Sequence, residues 1–298
     1  MTTQLVAPAP GRLDAVLAEA LSVPRADIQR AIEAGRVTVD GRARPKSFRL
    51  RGGERVEVRL PSPDEIPAEG DPVPVRYRDE HLMVVAKPAG IPVHPTASRR
   101  SGTLVNRLKA MVVPLSTGAD PARPGIVHRL DAGTSGLMLV AADDATHGML
   151  SDMFRRHEVD RRYLALVRGL VEHDRFAVDA PLVRRRASIR VRAEGGREAE
   201  TRFDVRERLP RSTLLEAAPM TGRTHQIRVH LSAVGHPIIG DRRYGGGGDD
   251  ATRLALDRPF LHSWRIAFTH PVTGERIELE EPLPEDLERA LRRARAAR

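Results

Sequence analysis

Residues 125–142 read GIVHRLDAGTSGLMLVAA. The second half, 137–142, is a continuous apolar run of strand length, the signature of a strand buried on both faces. The first half sets His128, Arg129 and Asp131 beside a turn that Gly133 and Gly136 make pliable. A carboxylate this close to a buried strand must be paired or hydrogen-bonded. Thr134 and Ser135 are the nearest donors in sequence. Two readings of Asp131 stand at this point: with Ser135 it braces a turn, or it is a reacting carboxylate.

Outward from this strand, the pattern is consistent. Residues 73–86 alternate and then become the apolar run LMVVA, a second buried strand. From 75 to 283, short β-like runs follow one another, separated by Gly, Pro and Asp. Helical periodicity appears at 143–157, 224–234 and 284–297. The last of these places acids first and arginines last, as the helix dipole favours. The fold class expected is α+β with strands dominant.

The first 74 residues differ. Residues 1–10 contain APAP and read as a disordered tail. Residues 11–60 form a compact unit: Leu13, Val16, Leu17 and Leu21 at helical spacing, then a second helix begun by Pro24, with Ile28 and Ile32 on one face, closed by Gly35. Val37 and Val39 alternate ahead of an Asp40-Gly41 turn, and Val56, Val58 and Leu60 make another short strand. Residues 61–74, with five prolines and four acids, read as a linker. The domains expected are therefore a tail at 1–10, a small unit at 11–60, a linker at 61–74 and a large domain at 75–298.

Composition narrows the chemistry. The 298 residues contain no Cys, which removes disulfides, thiolate catalysis and cysteine-held metals. A metal site on His225, His230, His236 and His262 is not expected either, because their spacing fits no ligand pattern. No apolar run approaches the roughly 20 residues of a membrane span. With no signal pattern at the start, a cytoplasmic location is expected. The net charge of +9 is carried almost wholly by Arg, whose planar fork matches phosphates. A polyanion partner or a compositional habit would each produce that bias.

HRLDAGTSGL (128–137) resembles the HRLD-x-x-TSGL motif of the RluA-type pseudouridine synthases and matches every fixed position. The resemblance extends in order along residues 73–283. DEHLMVVAKPAGIPVHP (79–95) is similar to that family's first motif, with Ala86 where Asn is usual. DRRYLALV (160–167) is similar to its KxYxAxV strand, with Arg161 for the lysine. TGRTHQIRVHLSAVGHPIIGDRRYG (221–245) resembles its third motif, and LHSW (261–264) its closing segment. Residues 11–60, through GRVTVDG (35–41), resemble the S-four-type (αL) RNA-binding module shared with a small-subunit ribosomal protein.

The resemblance implies a mixed, mostly antiparallel central sheet with flanking helices, and an enzyme that isomerises uridine in RNA. It implies no cofactor. Uracil leaves C1′ of its ribose, turns, and rejoins through C5, a reaction that needs a carboxylate as nucleophile or base; the motif assigns this to Asp131. Such a carboxylate has to stay ionised, and a nearby guanidinium would hold it so. Arg228 is the candidate, and in the resembling family this arginine pairs with the aspartate. Tyr163 is the candidate for stacking on uracil or handling its C5 proton. Because the uridine must be extruded, Arg129 is implied as the wedge filling the gap. Arg25, Arg30 and Arg36 in the small unit, and Arg184, Arg185 and Arg186 in a basic stretch, are candidate RNA contacts. Large-subunit ribosomal RNA is the expected partner, with the protein a monomer. The alternatives are the same reaction on transfer RNA, a non-catalytic ribosome-assembly factor, and a sugar hydrolase with an acid pair.

Overall fold

The computed structural model describes residues 2–59, 66–96, 99–118, 120, 123–185, 188–192 and 195–297. The chain divides into two compact units, Met1–Pro67 and Ala68–Arg298.

The first unit contains β1 (Thr2–Val6), β2 (Gly11–Arg12), α1 (Leu13–Ala20), α2 (Arg25–Glu33), β3 (Val37–Val39), β4 (Arg42–Ala43), β5 (Arg49–Leu50) and β6 (Arg55–Arg59). Four strands form a sheet in the order β1-β6-β3-β4. Asp40 and Gly41 both take positive φ, 48° and 75°, as a two-residue turn between antiparallel strands requires. Leu13, Leu17 and Ile28 from the helices pack with Val37, Val39, Val56 and Val58. Residues 2–6 correct the expected disordered tail: they form β1, antiparallel to β6 from Thr2↔Arg59 to Val6↔Arg55. None of the five is fully buried; Leu5 packs partly against the core and backbone pairing does the rest, so no clear apolar pattern announces the strand. Leu60 and linker positions 61–65 lie outside the described residues.

The second unit runs β7 (Val75–Arg78), β8 (Leu82–Lys87), α3 (Leu104–Ala110), β9 (Ser135–Ala141), α4 (Asp144–Arg155), β10 (Asp160–Arg168), β11 (Arg175–Asp179), β12 (Leu182–Arg185), β13 (Ser188–Val191), β14 (Glu200–Arg208), β15 (Ser212–Pro219), α5 (Gln226–Ala233), α6 (Asp249–Leu254), β16 (Leu261–Thr269), β17 (Arg276–Glu280) and α7 (Glu285–Ala296). The large sheet has the order β11-β14-β15-β10-β16-β9-β8-β7, with β17 on β16. Its pairs are antiparallel except β9 with β16. The expected mixed, mostly antiparallel sheet of an α+β fold is what forms.

The two apolar runs are its centre. Along β8 and β9, Met83, Val85, Met138 and Val140 face one core. Leu82, Val84, Leu137, Leu139 and Ala141 face the other. With both faces covered, polar residues have no place, and alternation disappears from the sequence. The parallel pairing of β9 with β16 joins Ser135 to His262 and Gly136 to Ser263. Tyr163 of β10 pairs with the same Ser263. Tyr163, Ser263 and Gly136 thus form one row across three strands, with Asp131 just ahead of it on the loop into β9. Gly136 is required there: φ is +116°, and a Cβ would sit 2.2 Å from the Ser263 carbonyl oxygen.

Candidate active site

The loop carrying Asp131 is held from behind by groups distant in sequence. Lys87, 1% exposed at the end of β8, donates from Nζ to the carbonyls of Pro88 (2.8 Å) and Ile91 (3.0 Å) and points at that of Ala132 (3.4 Å). Gly90 N–H donates to Ala132 O at 2.8 Å. Arg258 Nη1 donates to Gly133 O at 3.2 Å while its other nitrogens grip Asp286 of α7. Ser135 Oγ meets His262 Nδ1 at 2.9 Å, and His262 Nε2 meets Glu281 O at 3.1 Å. A carbonyl can only accept, so His262 carries its proton on Nε2 and takes the serine hydroxyl's hydrogen on Nδ1. Burial drives the Lys87 pKa down to about 7; the charge of Arg258 adds to this and that of Asp131 opposes it.

In front of the loop, α5 supplies the cation. Arg228 is 9% exposed. Its fork gives Nε and Nη2 to Asp241, at 2.6 and 2.9 Å, and Nη1 to Asp131 Oδ2 at 2.9 Å. Burial works against the charged guanidinium, but the bonds to Asp241 and the charge of Asp131 outweigh it, and the Arg228 pKa is raised. The arginine is therefore a permanent charge clamped by one carboxylate and offered to another. Asp241 is 1% exposed and spent on this clamp, so it is not the partner of a hydrolytic acid pair. Among the described residues no donor bonds to Asp131 Oδ1. His225 Nε2 stands 3.8 Å from it.

The turn before α5 is fixed by Gln226, which accepts from Thr221 Oγ1 (2.6 Å) and Arg223 N–H (3.0 Å) and donates to Glu200 O (2.9 Å). The helix starts at Gln226, two residues later than its periodicity suggests, because His225 takes φ 57° and ψ 18°. Of the expected core face Ile227, Leu231 and Val234, the first two enter the core, whereas Val234, at the C-cap where the helix ends, is 42% exposed.

A pocket of about 220 Å³ opens on these groups, lined among others by Arg129, Asp131, Tyr163, His225, Arg228 and Leu261. Asp131, Arg228, Tyr163 and Arg129 are brought together here. Tyr163 is 6% exposed. Burial raises its pKa, and its hydroxyl meets the Ser263 side chain. A phenol kept protonated is a poor base, which favours stacking over proton removal. Arg129 is exposed and lines both this pocket and an adjoining groove of about 800 Å³ with Arg184, Arg197, Arg223 and Arg243.

The remaining arginines are dispersed. Arg185 lies in β12, and Arg186 falls outside the described residues. In the first unit, Arg25 grips the fully buried Asp14 through Nε (3.1 Å) and Nη2 (2.9 Å), together with Gln29 and Arg12. Arg30 pairs with Asp27. Arg36 is exposed. The four histidines near the third motif each hold a separate partner: His230 contacts Thr201 and Ala180, His236 the Arg168 carbonyl, His225 Tyr244, and His262 Ser135. Among the described residues, no group of three or more His, Asp or Glu side chains is placed to hold a metal ion. Sequence reasoning gave no role to Lys87, Tyr244 and Arg258, met Asp241 only beside a metal site that was dismissed, and placed His225 with Arg228 and Ser232 on a helix face turned to the site, although His225 precedes the helix.

The family described as RNA pseudouridylate synthase matches residues 81–233, which carry Asp131, Tyr163 and Arg228. The chain belongs to the RNA pseudouridylate synthase family. An S4 domain matches residues 11–56 of this synthase. It is 40% identical over 268 residues to the uncharacterized RNA pseudouridine synthase YlyB of Bacillus subtilis, covering 88% of this chain and 87% of that protein. It is 41% identical over 296 residues to the ribosomal large subunit pseudouridine synthase D of Xanthomonas campestris, covering 94% and 88%. Among solved structures, human RNA pseudouridylate synthase domain containing 4 aligns with a TM-score of 0.60 at 25% identity, over 74% of this chain and 93% of that one. The synthase is thus an isomerase acting on RNA, with an S4 domain at its start. Among the described residues, no helix is long and apolar enough to cross a membrane.

Proposed function

We propose that this synthase converts uridines of large-subunit ribosomal RNA to pseudouridine, with Asp131 as the catalytic carboxylate and no cofactor. The observation that carries the reading is the division of labour at Asp131. One oxygen, Oδ2, is bound by Arg228 at 2.9 Å. The other, Oδ1, carries no hydrogen bond among the described residues and belongs to a group lining the pocket beside Tyr163. A carboxylate so arranged is anchored through one oxygen and presents the other for attack on C1′ or removal of the 2′ proton. Tyr163 then supplies a flat, neutral face for the base, and Arg129 the side chain that enters the vacated stack. The ribosomal substrate is supported by the synthase D relatives, named for the ribosomal large subunit, and by the S4 domain. On this reading the protein works as a cytoplasmic monomer.

The test uses purified wild type and Asp131→Asn on unmodified large-subunit ribosomal RNA and on transfer RNA, with pseudouridine mapped by chemical-adduct sequencing. Product on the ribosomal RNA with wild type and none with the variant is expected. Product from Asp131→Asn overturns the carboxylate assignment. Product on transfer RNA alone overturns the substrate.

A further inference from the structure

His225 lines the pocket wall with an unusual backbone, and none of the roles above uses it. Its left-handed backbone, φ 57° and ψ 18°, is one that side chains other than Asn, Asp and His seldom take. The residue does not cap α5 through its side chain. The unusual backbone instead accompanies an imidazole set in the pocket, 17% exposed. Nδ1 lies 2.7 Å from Tyr244 Oη. The same phenol oxygen accepts the Ile189 backbone N–H, and its own hydrogen can be given to Nδ1. In that arrangement the neutral ring carries its proton on Nε2. Nε2 stands 3.8 Å from Asp131 Oδ1, too far to occupy that oxygen, yet next to where it reacts.

The charges facing the ring are Asp131 and Asp241 on one side of the balance and Arg228 and Arg243 on the other. Burial weighs most, and the His225 pKa is lowered. The guanidinium of Arg228 lies 5.0 Å from the Tyr244 ring centre and that of Arg243 5.9 Å, so the supporting phenol is itself set among cations. The imidazole is neutral at neutral pH, with one hydrogen, directed at the pocket.

We propose that His225 donates this Nε2–H hydrogen bond to a carbonyl oxygen of the uracil as it leaves C1′. The inference rests on Asp131 being the catalytic carboxylate. When the N1–C1′ bond breaks, its electron pair goes to the base, and the charge spreads over N1, O2 and O4. In one route a pair from Asp131 Oδ1 forms the new bond to C1′. In the other, Asp131 takes the 2′ proton, and the C2′–H pair becomes the C1′–C2′ double bond. Uracil departs as an anion in both, so the donor serves either. A neutral imidazole N–H is a very weak acid. It stabilises the anion without surrendering its proton, and the base stays reactive at C5 rather than escaping as free uracil.

The test places excess full-length wild type, His225→Asn, His225→Gln, Tyr244→Phe and Asp131→Asn on a large-subunit ribosomal RNA transcript. The transcript is made with uridine or with 5-fluorouridine, whose base is the better leaving group. Single-turnover cleavage of the glycosidic bond and RNA affinity are read separately. Asn accepts the left-handed backbone but withdraws the donor; Gln carries an amide N–H towards the same point. Asn is expected to slow cleavage about 100-fold with Kd unchanged, and Gln to recover at least about tenfold of it. On 5-fluorouridine the Asn penalty shrinks to about tenfold. Tyr244→Phe removes the hydrogen that opposes protonation of Nδ1, so the acid limb of the pH–rate profile moves to higher pH. Equal Asn penalties on the two transcripts, or Asn cleavage within about threefold of wild type, overturn the inference. Turnover by Asp131→Asn removes the carboxylate assignment and this inference with it, a failure distinguishable from the others.

Discussion

Replacing Asp241 by Asn separates two carboxylates that share one guanidinium. Asp241 is 1% exposed and takes two of the three bonds of the Arg228 fork; Asp131, with its side chain 15% exposed, takes the third. Asp241→Asn preserves shape and one acceptor but leaves a buried cation with a single counter-charge. Breaking a buried pair from one side costs about 3–5 kcal/mol, and the retained acceptor places this case near 3. Asp131→Asn removes one bond at a partly open position and leaves the clamp intact, a loss of about 1 kcal/mol. With a urea slope of about 2–3 kcal/mol per molar, the midpoint falls by about 1–1.5 M for Asp241→Asn and less than about 0.5 M for Asp131→Asn. The chain's one Trp, Trp264 on β16, reports this transition by fluorescence. Turnover should rank the opposite way, with Asp131→Asn inactive and Asp241→Asn impaired. An equal or larger midpoint loss in Asp131→Asn would refute the assignment of structure to one carboxylate and chemistry to the other.

Four further outcomes are expected. Gly136→Ala forces a Cβ to 2.2 Å from Ser263 O at φ +116° and should lower the melting temperature by about 10 °C or leave the protein insoluble; Gly148→Ala, facing open space in α4, should gain up to about 1 kcal/mol. Lys87 titrates at about 7 when folded and near 10.4 when unfolded. Between those values only the unfolded chain holds that proton, so stability rises with pH by up to about 1.4 kcal/mol per unit. Urea midpoints at pH 7 and 9 should show this rise reduced in Lys87→Met. Asp14 sits well below the usual carboxylate range: burial opposes its charge, but Arg12, Gln29 and Arg25 outweigh that. Its contribution is present above the unfolded value near 3.9 and lost as pH falls below it. Asp14→Asn should speed hydrogen exchange of α1 and α2 amides about 10- to 100-fold at neutral pH and lessen the acid sensitivity of those helices.

The parts of this fold that were legible in sequence are those whose signal is local. β8 and β9 are apolar on both faces and read as such without any partner. The helices α4 and α7 announce themselves by period and by end charges. Asp131 was legible through its motif, since the residues that make it costly to bury adjoin it. What escaped is non-local or held by backbone. β1 pairs with a strand 49 to 57 residues further along the chain, with no fully buried side chain of its own. Lys87 ends an apolar run with nothing nearby to satisfy it, because its acceptors are carbonyls, which have no residue type. Asp241 reaches Arg228 only because Gly240 and Gly246 allow a turn where a Cβ would sit 1.9 Å from Arg258 O or 1.7 Å from Ile238 O. His225 was masked by its neighbour: helical periodicity assigned it to a face of α5, whereas its left-handed backbone removes it from the helix.

The props of the Asp131 loop come from widely separated parts of the chain. Arg228 is 97 residues away from Asp131; Arg258 lies 125 residues from Gly133, and His262 lies 127 from Ser135. Loop closure over such spans is among the later and slower events of folding. A chain emerging from its own ribosome therefore exposes Asp131 long before Arg228, Arg258 and Asp286 exist to hold it. Growing chains should be silent towards nearby RNA until Arg228, Arg258 and Asp286 have been made and have closed on the Asp131 loop.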